Sequence, residues 1–267
     1  MEDELVDRIL GEVIKKMGAS DPQVRTESPK PSCAVGGCGL TEFVGTAIGH
    51  TIGLVIANVD PLLHEKMKID PKYRSIGIIG DRTGAGPQIF AADEAVKATN
   101  SEVVLIELAR DTEGGAGHGC LIVFGAEDVS DARRAVEVTL KEVERTFGDV
   151  YGTPAGHLEF QYTARASEVL KKAFGAPLGQ AFGITVGAPA AIGVVLADTA
   201  AKAATVEAIS YASPGNGGTS FSNEVIFTFT GDSGAVRQAV IAAREVGKKL
   251  LATLDPAEIK STTTPYI

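Results

Sequence analysis

The chain has 267 residues, a formal net charge of −9 and 44% hydrophobic residues, which is enough material for about two compact domains with buried cores. That acidity, with no basic stripe, argues against a nucleic-acid partner. No apolar run reaches the roughly 18–20 residues of a membrane span, and the acidic start Met1-Glu2-Asp3-Glu4 is unlike a signal peptide, so a cytoplasmic protein without membrane contact is expected.

Residues 4–17 carry one amphipathic helical pattern: Leu5, Val6, Ile9, Leu10, Val13, Ile14 and Met17 share a face. A linker follows over 18–37, rich in Gly, Ser, Pro, Asp and Thr. A helix this short is not stable alone and is expected to gain structure by docking.

Further along, the pattern predicts strands over 42–47 and 53–58, then a short helix opened by Asp60 as N-cap with Pro61 at the first helical position. A strand over 76–79, a helix over 88–99, strands over 103–108 and 120–124 and a helix over 130–147 complete a first unit. The second unit reads as strand 158–163, helix 165–174, strand 182–186, helix 190–204, strands 206–211 and 224–230, and helix 233–252. Gly175 and Pro177 close its first helix. Strands and helices mix without strict alternation, so the fold class is α+β, with one mostly antiparallel sheet per unit and helices packed against it. The division is an N-terminal helix and linker over 1–38, a first domain over 39–151 and a second over 152–267.

The two units repeat one another in sequence. Glu42-Phe43-Val44-Gly45-Thr46-Ala47 is echoed by Glu159-Phe160-Gln161-Tyr162-Thr163-Ala164, Ala92-Asp93 and Lys97 by Ala197-Asp198 and Lys202, and Gly125 and Arg133 by Gly231 and Arg237. The offset drifts from 117 to about 105 along the chain. Whole-domain duplication tends to build a pseudosymmetric object.

Glycine-rich loops fall at equivalent points: Asp111 to Gly119, with Gly114, Gly115, His118 and Gly119, and Ser213 to Ser222, with Gly217, Gly218, Thr219 and Ser220. Each lies between two strands, which does not suit phosphate binding, yet each is longer than a hairpin turn needs; backbone lining something narrow fits better. Gly80-Asp81-Arg82-Thr83-Gly84-Ala85-Gly86-Pro87 stands between a strand and a helix, the context for anion binding, but lacks the P-loop Lys-Ser/Thr; a capping turn is the plainer reading. The cysteines Cys33, Cys38 and Cys120 are too sparse for a disulfide framework. Neither they nor His50, His64, His118 and His157 stand at metal-ligand spacing, so no metal, cofactor or catalytic residue is expected.

Leu40-Thr41-Glu42-Phe43-Val44-Gly45-Thr46-Ala47-Ile48-Gly49, Gly84-Ala85-Gly86-Pro87, Ala91 to Asn100 and Thr219-Ser220-Phe221-Ser222-Asn223-Glu224 together resemble the tandem-domain shell proteins of bacterial microcompartments, of the propanediol- and ethanol-utilization kinds. The resemblance runs the length of the chain. It implies two circularly permuted shell domains per chain and a homotrimer shaped as a pseudohexamer that tiles with other shell proteins. It places a tile-edge lysine at Lys97 and Lys202, and pore lining at Gly114 to Gly119 and Gly217 to Ser220 for small polar metabolites such as diols or glycerol. Residues 4–17 resemble a segment that docks encapsulated enzymes. On this reading the protein is a structural tile and not an enzyme. The alternatives are a small-ligand binding or regulatory domain pair, and a soluble enzyme holding a phosphorylated substrate at Gly80–Pro87.

Overall fold

A computed structural model describes residues 40–110, 118–219, 222–255 and 258–267. The expected helix over 4–17 and the linker lie outside them, as do Cys33 and Cys38.

The first half contains β1 (Phe43–Ala47), β2 (Thr51–Ile56), α1 (Pro61–Met67), β3 (Ser75–Asp81), α2 (Gly86–Lys97), β4 (Glu102–Arg110), β5 (His118–Ala126) and α3 (Val129–Thr146). A single 3₁₀ turn, Phe147–Asp149, leads into the second half: β6 (Val150–Thr153), β7 (Gly156–Thr163), α4 (Glu168–Phe174), β8 (Ala181–Ala188), α5 (Ala190–Ala203), β9 (Val206–Ala212), β10 (Val225–Gly231) and α6 (Ser233–Leu251). Each half is a five-stranded sheet, ordered β1-β2-β3-β5-β4 and β6-β7-β8-β10-β9, and every strand pair is antiparallel.

Local chemistry sets the boundaries. Asp60 caps α1 by accepting the Leu62 N–H at 2.8 Å, and Lys68 ends that helix in the left-handed region. In the second half Ser167 caps α4 and Gly175 ends it in the same way, so the helix starts at 168 rather than the expected 165. The long helices α3 and α6 bury one stripe each, Ala132, Ala135, Val136 and Val143 in the first and Val236, Val240 and Ala243 in the second. They sit close on their sheets because glycine faces them. A β-carbon at Gly77 would come within 2.7 Å of the Ala132 carbonyl, and one at Gly183 within 2.9 Å of Val236.

β6 was not expected from the sequence, and it straddles the expected 151/152 division. It has four residues and follows a helix almost directly, which leaves too little alternation to read. The structure also corrects the first stretch of the repeat. Glu42–Ala47 leads into β1, at the sheet edge, whereas Glu159–Ala164 belongs to β7, the second strand. The strand equivalent to β7 is β2. Ile52 pairs with Gly80 as Glu159 pairs with Val186, so Ile52, not Glu42, occupies the place of Glu159. With this register the offset is nearly constant: 107 for β2 and for α1 (Pro61 against Glu168), and 105 for α2 (Asp93 against Asp198).

The C-terminus is fastened into the second half. The Asp149 carboxylate is fully buried and accepts from Arg244 Nη1 at 2.7 Å, from the Tyr266 N–H at 2.9 Å and from the Ile267 N–H at 3.0 Å. Arg244 also donates to the Ile267 carbonyl at 2.8 Å.

Candidate functional site

Three places concern function: the junction between the halves, the Gly80–Pro87 turn at its centre, and the glycine-rich loops.

The junction is an apolar seam with a polar border. One buried cluster runs from Ile89 and Phe90 of α2 to Val169 and Leu170 of α4 and Phe182 of β8. The Phe90 and Phe182 rings lie 5.9 Å apart, and Phe174 stacks on Phe182 at the same distance. At the border, Asp93 is buried and accepts from the Ser167 backbone N–H at 2.9 Å and from its hydroxyl. Its other oxygen meets Lys97 Nζ at 2.7 Å. Lys97 also contacts Glu94 at 2.9 Å and Thr163 Oγ1 at 3.5 Å, so the ammonium group is drawn into the contact between halves. Lys202 holds the matching place in the second half, but it is exposed and pairs with Asp198 at 2.7 Å.

The Gly80–Pro87 string is a turn between β3 and α2. Ala85 sits at φ 64°, ψ −61°, and the Gly86 N–H bonds back to the Gly84 carbonyl at 2.9 Å, a γ-turn that is strained for a residue with a side chain. The start of α2 is already covered. Glu159, from the other half, lies so close to Gly86 that a β-carbon there would overlap its Oε1. Burial, followed by the neighbouring Glu224 and Asp81 carboxylates, pushes the Glu159 carboxyl well above the usual carboxylate range. Its Oε1 has no hydrogen-bond partner. Glu224 receives His157 Nε2 at 2.8 Å, with both side chains buried. Cys120 points its thiol at Asp81, and burial with that carboxylate raises it well above an ordinary thiol. A protonated thiol of this kind is a poor nucleophile. Among the described residues no group of three or more His, Cys, Asp or Glu is arranged to hold a metal ion, and no helix is long and apolar enough to cross a membrane.

Of the expected pore residues, Gly114, Gly115 and Ser220 lie outside the described residues. His118 and Gly119 open β5, and Gly119 is buried against the Asp81 carbonyl. The second loop begins with a 3₁₀ turn, Pro214–Asn216, and turns at Gly217 (φ 73°). Asn216 ties it together, accepting from Ser213 N–H at 2.9 Å and Gly218 N–H at 3.0 Å. Gly217 and Gly218 are exposed. Thr219 is not: it is fully buried and its hydroxyl donates to the Ser222 carbonyl at 2.9 Å, so it braces the loop and offers no donor to solvent. Sequence reasoning missed the group formed by buried Glu159, Glu224 and His157 with half-buried Asp81. Its one available signal was a string of ionisable residues inside otherwise apolar strands.

Two α+β units of one topology, joined by an apolar seam, define a tandem-duplicated fold. Comparison with known proteins says which one. The family model described as BMC domain matches residues 75–153 and again 181–260. The bacterial microcompartment shell protein PduB of Salmonella typhimurium (strain LT2) is 61% identical over 99% of this chain and 98% of its own length, and PduB of Limosilactobacillus reuteri is 56% identical over 79% and 89%. Among solved structures, a trimeric bacterial microcompartment shell protein PduB superposes with a TM-score of 0.81 at 53% identity, over 85% of this chain and 100% of that one. EtuB from Clostridium kluyveri gives 0.82 at 57%, over 85% and 99%. The chain belongs to the BMC-domain family of bacterial microcompartment shell proteins.

Proposed function

We propose that this protein is a structural tile: a homotrimer of six BMC domains that packs edge to edge with other shell proteins and catalyses no reaction. The carrying observation is the junction between halves. It is a head-to-tail contact of one face of the first half with a different face of the second, and a contact of that kind repeats into a ring when its rotation closes. The relatives named as shell proteins, one of them named as trimeric, support the same assembly.

Two further parts extend this reading. The glycine-rich loops, with Gly217 and Gly218 exposed, are assigned to a passage for small polar metabolites such as diols or glycerol, where backbone amides take the place of side chains and hole size and polarity set selectivity. Residues 4–17 are assigned to docking encapsulated enzymes, on the amphipathic pattern of that segment. The rival reading, a phosphate-binding enzyme loop at Gly80–Pro87, is disfavoured because Glu159 occupies the start of α2 where an anion would have to sit.

Light scattering of the purified chain tests the assembly, followed by electron microscopy of concentrated samples. A mass of three chains and flat hexagonal sheets are expected; a monomer that forms no lattice overturns the tile. Lys97 and Lys202 are assigned to the rim. Lys202→Ala, at the lysine that stands exposed, is expected to weaken the sheets while the trimer mass stays unchanged, and intact sheets would remove Lys202 from that role.

A further inference from the structure

The charges at the border of the junction are unevenly matched. A cavity of about 670 Å³ opens there, between α2 and α3 of the first half and the end of β7 and the start of α6 of the second. Its ionisable lining is Lys97, Arg145, Arg165 and Arg237 with Glu94 and Glu142. The volume falls within the roughly 300–1,000 Å³ of small-molecule sites. Four cations face two carboxylates, in a chain whose formal net charge is −9.

Both carboxylates are already engaged. Glu94 holds Lys97 at 2.9 Å, and Lys97 directs its other donors to Asp93 at 2.7 Å and Thr163 at 3.5 Å. Glu142 accepts from Arg145 Nε at 2.8 Å. The two Nη groups of Arg145 meet no acceptor among the described residues. Arg165 and Arg237 are exposed, and neither side chain has a hydrogen-bond or ion-pair partner among the described residues. Arg145 is also held in place. Its guanidinium lies over the Tyr266 ring, 4.8 Å from the centroid. That ring is fixed from its far end, where the hydroxyl donates to Gln161 at 2.7 Å and accepts the Tyr162 N–H at 3.2 Å. A planar guanidinium so anchored presents a fork that matches two oxygens of one anion.

The duplication shows that this arrangement belongs to the within-chain junction. By the register that sets Ile52 against Glu159, the place of Arg165 in the first half is taken by Asn58. The place of Arg237, five residues after the Asp232 cap, is taken by Arg133, five after the Asp128 cap. Arg133 already donates to the Thr41 carbonyl at 3.1 Å. Tyr266 has no counterpart, because the first half runs on directly into β6.

We propose that this cavity binds a small phosphate-bearing anion, held by Arg145, Arg165 and Arg237, with one site per chain. A tetrahedral dianion offers oxygens to donors from both halves at once, whereas chloride offers a single point of charge. Bound in this way, the anion ties the first half to the second. The site is complete within one chain, so it stands or falls separately from the trimer reading. Its chemistry is that of the phosphate group, either free or carried on a small ester.

The test uses the full chain. Isothermal titration calorimetry with orthophosphate and with methyl phosphate, at constant ionic strength, is expected to show one site per chain. Arg165→Gln and Arg237→Gln, both at exposed positions, are each expected to weaken binding at least tenfold with an unchanged circular dichroism spectrum. Lys66→Gln removes a positive charge from α1, outside the cavity, and is expected to leave binding unchanged. Tighter binding of the ester assigns the cavity to organic phosphates, and equal binding assigns it to free phosphate. Binding of neither anion overturns the proposal. So does binding that all three variants weaken alike, which is the response of general charge screening. Thermal unfolding of the unaltered chain gives a second reading. Phosphate is expected to raise the melting temperature above that in chloride of matched ionic strength, and coincident curves overturn the site.

Discussion

Glu159 is the residue whose chemistry departs furthest from its sequence setting. It sits in a strand between Leu158 and Phe160, which reads as an interruption of an apolar face, and nothing in the string reveals that Gly86, Asp81 and Glu224 converge on it. In the unfolded chain a glutamate gives up its proton near about pH 4.3. In the folded chain burial and the two neighbouring carboxylates hold the proton to higher pH. Between those limits the folded state binds more protons than the unfolded one, so this residue's contribution is fully present below pH 4.3 and is lost as pH rises through the folded value. The groups facing it are Asp81, Glu224 and, at the edge, Gln161 and Tyr266. Glu159→Gln, of nearly the same shape, is expected to be more stable than wild type at pH 8 and to lose that advantage at pH 4 in thermal unfolding. Equal melting temperatures at pH 8 would show that Glu159 is not holding a proton.

At the scale of elements, the sequence foretold nearly every helix and strand, because the amphipathic stripes of α3 and α6 are long, and Asp60 at the start of α1 and Gly175 at the end of α4 mark boundaries with ordinary capping chemistry. It missed β6, which is four residues long, and it aligned β1 with β7 because Glu-Phe and Thr-Ala recur by chance in strands that occupy different places in the sheet. Neighbouring strands decide such an alignment, and a single sequence does not display its neighbours. The lysines show the same limit. Lys97 and Lys202 read alike, yet one lies in the junction against buried Asp93 and the other stands open. The C-terminal strap was equally invisible, since Asp149 and Ile267 are far apart in sequence. Asp149→Ala removes the acceptor for Arg244 and for two backbone N–H groups in a buried place, and it is expected to cost about 3 kcal/mol of stability by urea denaturation. A loss below about 1 kcal/mol, the scale of an exposed ion pair, would mean that the strap frays without consequence.

For the whole molecule, the assembly, the passage and the docking segment make separable claims. Removing residues 1–17 is expected to leave the oligomer and its sheets intact and to free the enclosed enzymes from the shell, read as co-purification of enzyme with shells before and after truncation. Undiminished co-purification would assign docking elsewhere. The helical pattern over 4–17 is legible because its apolar residues recur at that spacing, whereas a docking partner for it would be written on another molecule.

Duplication has one more effect, visible at Ile52 and Glu159. In a ring made of six identical domains, any change of residue happens six times, and a carboxyl introduced at one seam appears at all of them. A fused pair loosens that constraint, because the same place in the ring can be oily at alternate positions and acidic at the others. Variation can then be tried at half dose, on three seams while the other three keep the ring closed. The two halves of this chain have already diverged that way: Glu159 is buried where each chain folds on itself, and the equivalent place in the first half holds an exposed isoleucine, Ile52.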